Sequence, residues 1–212
     1  MLIPSVRRIH NRNSRKVIGH SYSYKMEGLL TWESTLERDW LLRLEVDSRV
    51  RAITAQPRKF DIWHDDKRRL YTPDVLVEWV DPSRRPTLQE VKPDRVALEP
   101  GWQEYFGSIR ETVDKDGWDF DVITESQIRQ EPHLWNAKAL RMYAGVQVSL
   151  KQRISAQGLA RNGCSISGLA ARCPHLSPET IYRLILDGAL RFLHHERLSS
   201  GTVVWTPEEA SR

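Results

Sequence analysis

The stretch YTPDVLVEWVDPSRRPTLQEVKP, residues 71–93, contains two apolar runs separated by a short polar turn. The runs LYTPDVLVEWV and TLQEVK predict two strands, and the segment DPSRRP between them predicts that the strands form a hairpin. Pro73 has no amide donor for a neighbouring strand, so Asp74 is expected where the first strand begins or bends.

Charged residues in these strands suggest a metal site. Strand side chains alternate between faces, so Glu90 and Lys92 point to one face and Val91 to the other. A closed hairpin brings Asp74 close to Glu90, where two ionised carboxylates repel each other unless a divalent cation lies between them. Mg²⁺ is typically held by one or two carboxylates together with water and substrate phosphate. A surface hairpin with solvated charges is the alternative interpretation.

Lys92 has several possible roles beside such a metal. Its ammonium group could orient the attacking water, deprotonate it, or offset charge on the phosphorus, while the metal polarises the phosphoryl oxygen. The pattern therefore predicts phosphodiester hydrolysis.

The segments around the hairpin indicate the rest of the fold. Apolar residues at three- and four-residue steps predict helices over residues 31–47 and 101–117, and extended patterns predict strands over residues 60–63 and 118–124. This order predicts a mixed α/β sheet flanked by helices.

The helix predicted over residues 31–47 carries two acidic residues. Thr31 or Ser34 is expected to cap its start, and Glu33 and Glu37 lie one turn apart and share a face. Glu37 is placed to add a metal ligand directly or through water.

After residue 131 the pattern changes to short helices, which indicates a second domain over residues 132–212. A basic helix is predicted over residues 133–154, followed by a helix-turn-helix pair and a two-stranded wing over residues 190–205. These features predict a small helical, winged-helix-like domain. Its second helix has only Arg183 and Arg191 for phosphate contacts, so docking to a protein is about as well supported as reading DNA.

Composition indicates the class of protein and its expected location in the cell. The chain has 212 residues, of which 40% are hydrophobic and 28% charged, as in ordinary folded proteins. It contains two cysteines and no apolar run near the roughly 20 residues that span a bilayer. A reducing, cytoplasmic location is expected.

Charge is distributed unevenly along the chain. Residues 1–26 hold six basic and no acidic side chains and are expected to form an N-terminal arm. Residues 27–132 hold 16 basic and 23 acidic side chains, whereas residues 133–205 hold nine basic and three acidic ones. Basic flanks around an acidic centre are typical of a protein that meets a polyanion at its ends. The arm residues expected to contact DNA phosphates are Arg7, Arg8, Arg12, Arg15 and Lys16, with a solubilising tail as the alternative.

Two other residue sets are less informative. Cys164, Cys173, His175 and the pair His194 and His195 lack the tight spacing of a structural zinc site, so ordinary thiols and imidazoles are expected. Five tryptophans are expected on buried faces: Trp32, Trp40, Trp63, Trp79 and Trp102.

The hairpin is similar to a known signature. TPD followed by QEVK resembles the PD-(D/E)xK motif of restriction-endonuclease-like nucleases. Four ordered blocks, ESTLERDWLLRLEVDSRVRAITAQP, YTPDVLV, QEVKP and VITESQI, resemble the TnsA endonuclease subunit of heteromeric TnsA–TnsB transposases. The resemblance spans about residues 31–128 and implies a nuclease domain over residues 27–131.

By position, the resemblance makes Glu37, Asp74, Glu90 and Lys92 the catalytic residues, with Glu33 as the alternative to Glu37. It implies metal ligation by Asp74, Glu90, the main-chain carbonyl of Val91 and Glu37, the last directly or through water. Some members have Gln where this chain has Glu90. The implied cofactor is Mg²⁺, with Mn²⁺ as a substitute.

The resemblance also implies a function and partners. TnsA-type subunits nick the 5′ ends of a transposon, leaving 5′-phosphate and 3′-hydroxyl groups, in the bacterial cytoplasm on nucleoid DNA. The implied partners are a TnsB-type transposase that processes the 3′ ends and a TnsC-type ATPase, which we expect to contact the C-terminal domain. The alternatives are a stand-alone restriction or repair nuclease and a non-catalytic DNA-binding adaptor.

Overall fold

The computed structural model describes residues 17–207 of the chain. These residues divide into two compact units, one extending to Glu45 and continuing over Arg49–Arg129, the other made of Val46–Ser48 and the chain from Gln130 onward. The basic residues predicted to contact DNA, Arg7, Arg8, Arg12, Arg15 and Lys16, lie outside the described residues.

The first unit contains eight strands and four helices among the described residues. They are β1 (Gly19–Ser23), β2 (Gly28–Trp32), α1 (Thr35–Val46), β3 (Val50–Ala55), β4 (Phe60–His64), β5 (Lys67–Tyr71), β6 (Val75–Trp79), β7 (Thr87–Lys92), α2 (Asp94–Ala97), α3 (Pro100–Asp114), β8 (Asp119–Thr124) and α4 (Glu125–Ile128).

A four-stranded sheet in the order β3-β6-β7-β8 forms the centre of this unit. The predicted hairpin is confirmed: β6 and β7 pair antiparallel, with Leu76 opposite Leu88. Strand β8 returns after α3 and pairs parallel to β7, which makes the sheet mixed. β1 with β2 and β4 with β5 form separate two-stranded sheets.

Apolar side chains cover the sheet on both faces. On one face, Leu76 and Leu88 lie in a buried cluster with Phe106 and Ile109 of α3. On the other face, Val75 and Val77 of β6 lie in a cluster with residues of α1. Strand alternation explains this division, because neighbouring residues of β6 point to opposite faces. The unit is therefore a mixed four-stranded sheet flanked by helices, as the sequence predicts, and it is consistent with the restriction-endonuclease-like fold that the resemblance implies.

The boundaries of several elements differ from the predictions. β1 lies inside the segment predicted to be an arm, where it pairs with β2. The polar run HDDKRR, residues 64–69, predicts a turn by its composition, but its last three residues belong to β5 and only Asp65 and Asp66 form the turn, both with positive φ. An exposed charged strand carries almost no apolar alternation, which explains the failed prediction.

One predicted burial is wrong. The side chain of Trp63 is 67% exposed, whereas Phe60 and Ile62 on the same strand are buried. Because β4 alternates and its even-numbered residues face the core, Trp63 points to solvent. Trp32, Trp40, Trp79 and Trp102 are partly buried.

The second unit is helical with one small strand pair. Its elements are α5 (His133–Arg141), α6 (Leu150–Ala160), β9 (Cys164–Ser165), α7 (Ile166–Arg172), α8 (Pro178–Leu186) and β10 (Val203–Val204). Their core contains buried Leu169, Ile181, Leu184 and Leu190.

Two predictions for this unit need correction. The helix predicted over residues 133–154 is interrupted after Arg141, because Ser149 and Gln152 form a capping box that starts a new helix. The predicted two-stranded wing has only a single bridge between Arg191 and Trp205, since β10 pairs instead with β9.

Among the described residues, no helix combines the length and apolar character needed to cross a membrane.

Candidate active site

An open cleft of about 650 Å³ lies in the first unit at the ends of β5, β6 and β7. Its wall combines acidic, basic and aromatic side chains. The side chains that line the cleft include Glu33, Glu37, Tyr71, Asp74, Glu90, Lys92 and Trp102.

Asp74 lies directly before β6, as predicted, and is held by backbone groups on both sides. Its carbonyl oxygen accepts a hydrogen bond of 2.8 Å from the backbone N–H of Gln56. Its carboxylate Oδ2 accepts one of 2.8 Å from the backbone N–H of Val91. Since Val75 pairs with Gln89, the antiparallel register sets Asp74 opposite Glu90. The hairpin therefore fixes both the position and the orientation of this carboxylate.

Glu90 and Lys92 share a face of β7, as alternation predicts. Glu90 is 6% exposed, and its Oε1 accepts a hydrogen bond from the Lys92 ammonium. The other oxygen, Oε2, accepts one of 2.6 Å from the Tyr71 hydroxyl. The Lys92 nitrogen also lies 5.1 Å from the centre of the Trp102 ring, a cation–π distance. Donors from two strands thus satisfy the buried Glu90 carboxylate.

Glu37 reaches the cleft from the start of α1. Ser34 caps this helix, because its hydroxyl oxygen accepts from the backbone N–H of Glu37 at 3.1 Å. In return, the Glu37 carboxylate accepts from the Ser34 hydroxyl and from the backbone N–H of Glu33, both at 2.8 Å. This reciprocal arrangement resembles a capping box, so Glu37 also stabilises the helix start.

Glu33 precedes α1, so the prediction that Glu33 and Glu37 share a helical face is wrong. The Ser34 cap places Glu33 outside the helix. Its Oε1 accepts a hydrogen bond of 3.0 Å from the side-chain amide of Gln56. Gln56 is 2% exposed, has a positive φ of 48°, and has a buried Oε1 without a hydrogen-bond partner among the described residues. Gln56 therefore connects Glu33 to the backbone of Asp74.

Electrostatics couple the three carboxylates. Burial raises the pKa of Asp74 well above its ordinary value, and the neighbouring Glu90 and Glu37 carboxylates raise it further. Burial also raises the pKa of Glu37, partly offset by its hydrogen bonds from Glu33 and Ser34. The cleft is thus a place where negative charge is costly and where a cation is favoured.

The same negative charges also act on the ammonium group of Lys92. Burial alone lowers the pKa of an ammonium group, but the negative charges of Glu90 and Asp74 outweigh burial and raise the pKa of Lys92. Lys92 therefore retains its proton at neutral pH and acts as a cation and hydrogen-bond donor.

The donor chemistry of the cleft suits a hard divalent cation. Within residues 17–207, no three His, Cys, Asp or Glu side chains are already arranged to hold a metal ion. The carboxylates instead bind protein donors: Val91 for Asp74, Lys92 and Tyr71 for Glu90, and Ser34 for Glu37. Oxygen ligands and mutual carboxylate repulsion nevertheless fit Mg²⁺, which takes such ligands and removes the repulsion.

The structure brings Glu37, Asp74, Glu90 and Lys92, all singled out from the sequence, into this one cleft. Sequence reasoning missed Tyr71 and Gln56. Neither lies in a polar motif: Tyr71 belongs to an apolar run, and Gln56 directly follows β3. The only sequence signal for a role of Tyr71 in the site is its position three residues before Asp74.

Comparison with known proteins agrees with this geometry. No curated protein matches the chain. Residues 47–125 match the family model described as TnsA-like endonuclease N terminal. The matched segment contains Asp74, Glu90 and Lys92, whereas Glu37 lies before it. Over residues 47–125, the chain is therefore similar to the N-terminal domain of TnsA-like endonucleases.

Proposed function

We propose that the chain is a metal-dependent DNA endonuclease that nicks the 5′ ends of a transposon as the TnsA-type subunit of a cut-and-paste transposase. The match of residues 47–125 to the TnsA-like endonuclease N-terminal model supports DNA endonuclease activity and a place among nucleases of the transposase family. The observation that carries the proposal is the single cleft shared by Asp74, Glu90, Glu37 and Lys92. The proposed setting is the bacterial cytoplasm, on nucleoid DNA.

Asp74, Glu90 and the main-chain carbonyl of Val91 are the proposed metal ligands, with Glu37 contributing directly or through water. Mg²⁺, or Mn²⁺ in its place, supplies polarisation of the phosphoryl oxygen and a lowered pKa for bound water. The elevated pKa of Asp74 supports this assignment, because a cation relieves the repulsion that Glu90 and Glu37 impose.

Lys92 acts on the phosphate as a fixed positive charge. Because its pKa is raised, it stays protonated, which favours charge compensation and water orientation over proton abstraction. The contact with Glu90 positions the ammonium beside the reacting group. Hydrolysis leaves a 5′-phosphate and a 3′-hydroxyl.

The second unit is proposed to be winged-helix-like and to contact a TnsC-type ATPase. The order α6, β9, α7, α8, β10, with β9 paired to β10, supports a winged-helix-like arrangement. DNA reading by α8 has less support, because the Arg183 guanidinium binds Asp187 at 2.9 Å and is partly neutralised. Exposed apolar side chains at Leu150 and Ile154, one turn apart on α6, suit protein docking.

The test is strand-specific cleavage of a labelled transposon-end duplex with Mg²⁺, using wild type and Asp74→Ala, each with and without TnsB-type and TnsC-type partners. We expect nicking of the 5′ strand only, dependent on the partners and lost in Asp74→Ala. Asp81→Ala is the matched control, since Asp81 is an exposed carboxylate in the turn of the same hairpin.

Each alternative predicts a different pattern. Cleavage that needs no partner supports a stand-alone nuclease with the same site. Absence of 5′ nicking under conditions in which the TnsB-type partner cuts the 3′ ends supports the non-catalytic adaptor. The double variant Leu150→Ser, Ile154→Ser tests docking through α6. If the TnsC-type partner still stimulates nicking by this variant as it does the wild type, docking through α6 is contradicted.

A further inference from the structure

The hydroxyl of Tyr71 reaches into the acidic cleft from the last residue of β5. It donates a hydrogen bond of 2.6 Å to Oε2 of Glu90, and both residues are almost fully buried, with Tyr71 8% and Glu90 6% exposed. A hydrogen bond to a buried carboxylate is stronger than one between neutral groups. The contact therefore restrains the side chain of Glu90.

The two oxygens of Glu90 have different partners. Lys92, two residues along the same strand, binds Oε1, whereas Tyr71 arrives from another strand and binds Oε2. With only the Lys92 contact, the plane of the Glu90 carboxylate can tilt about the terminal side-chain bond. The Tyr71 contact adds a second fixed point, because the phenol ring is held by its packing, and so restrains the orientation of that plane.

Packing fixes the ring that supplies this hydroxyl. Tyr71 belongs to the buried cluster beneath the sheet and makes edge-to-face contacts with Tyr105 at 6.2 Å and Phe120 at 6.4 Å between ring centres. Ligand groups need such support to keep a productive geometry.

We propose that Tyr71 is a positioning residue that aligns the Glu90 carboxylate for divalent metal binding and so for DNA nicking. The inference rests on the proposed function, because it assigns a role towards the metal that Glu90 would hold. Tyr71 and Asp74 are separated only by Thr72 and Pro73. One short segment therefore supplies both a metal ligand and the group that orients a second ligand on β7.

Tyr71→Phe tests the proposal, because it removes the hydroxyl and keeps the ring in the core. Groups that orient metal ligands typically contribute 10- to 100-fold to metal affinity or activity. We therefore expect Mn²⁺ binding, followed by electron paramagnetic resonance without DNA, to weaken by roughly 10- to 100-fold, and 5′ nicking with partners to fall by a similar factor. Tyr143→Phe is the matched control, since this ring stacks on Tyr182 in the second unit.

A double-mutant cycle with Glu90→Ala separates positioning from general stability. If Tyr71 acts through Glu90, Tyr71→Phe lowers Mn²⁺ affinity in the wild type but not in the Glu90→Ala background. The same reduction in both backgrounds overturns the proposal, because the hydroxyl then acts elsewhere. Thermal unfolding of each variant identifies loss of folding.

The outcomes for the two proposals can be told apart. If the wild type binds Mn²⁺ and nicks DNA while Tyr71→Phe does both equally well, the positioning role is refuted and the proposed function stands. If the wild type neither binds Mn²⁺ nor nicks with its partners, the proposed function fails, and the role of Tyr71 fails with it.

Discussion

Replacing Asp74 by Asn should stabilise the metal-free protein while abolishing nicking. Asn keeps the size of the side chain and an oxygen that can accept from the backbone N–H of Val91. It removes one of three neighbouring negative charges, the one whose pKa burial, Glu90 and Glu37 raise. The native Asp therefore costs stability in the absence of a cation, a trade-off typical of functional sites.

The magnitude and sign follow from linkage. Each unit by which folding raises a carboxyl pKa corresponds to about 1.4 kcal/mol of lost stability well above the folded pKa. For a chain of this size, that is about 3–6 °C in Tm per unit. Between the ordinary Asp pKa of 3.8 and the raised pKa of folded Asp74, the folded state binds more protons, so wild-type stability falls as pH rises. Below 3.8 both states are protonated, and the advantage of the Asn variant disappears.

The assay is thermal unfolding in EDTA over a pH series, with calorimetry or circular dichroism as the readout. Asp74→Asn should have a higher Tm than wild type near pH 8 and the same Tm at the acid end of the series. Asp81→Asn is the control, because hydrogen bonds from Ser83 lower the pKa of this exposed carboxyl and no gain is expected. A Tm for Asp74→Asn that is lower than wild type at pH 8, or shifted equally at every pH, would refute the electrostatic argument.

Three further predictions concern charge, buried hydrogen bonds and capping. Lys92→Met should reduce 5′ nicking by about 10²–10³-fold, because it removes the fixed charge beside the phosphate; Lys67→Met on the exposed strand β5 is the control in the same cleavage assay. Glu45→Ala should lower the free energy of unfolding in urea by about 2–4 kcal/mol, because the buried carboxylate accepts hydrogen bonds of 2.6, 2.8 and 3.0 Å from the β1–β2 hairpin; an unchanged value contradicts this anchoring. Ser177→Ala should cost about 1 kcal/mol in the same measurement, since its hydroxyl oxygen caps α8, and Ser177→Asp should restore most of that loss.

Much of the central sheet could be predicted from local pattern. Alternation around Val91 places Glu90 and Lys92 on one face, and the polar turn pairs their strand with the one that begins after Asp74. Prediction failed where local pattern is weak. β5 carries three consecutive basic residues, and Trp63 looks apolar in sequence although its position in the alternation of β4 exposes it to solvent.

The start of α1 shows a second limit of prediction from the sequence. The residues Ser34 and Glu37 have capping-box spacing, and the structure uses them in this way. The sequence placed Glu33 on the same helical face because three- and four-residue spacing does not reveal where the first turn begins. The cap excludes Glu33 from the helix and leaves its side chain to Gln56.

Local sequence pattern is enough to predict the strand pair that carries Asp74, Glu90 and Lys92, because strand alternation and turn chemistry act over a few neighbouring residues. Three contacts arise only when the chain folds: Tyr71 binds Glu90, Gln56 connects Glu33 to Asp74, and Glu37 from α1 enters the same cleft. Contacts between polar groups on different helices and strands produce no periodic pattern in the sequence. They depend on how the helices and the hairpin pack on the two faces of the sheet, which is set by long-range burial of apolar side chains.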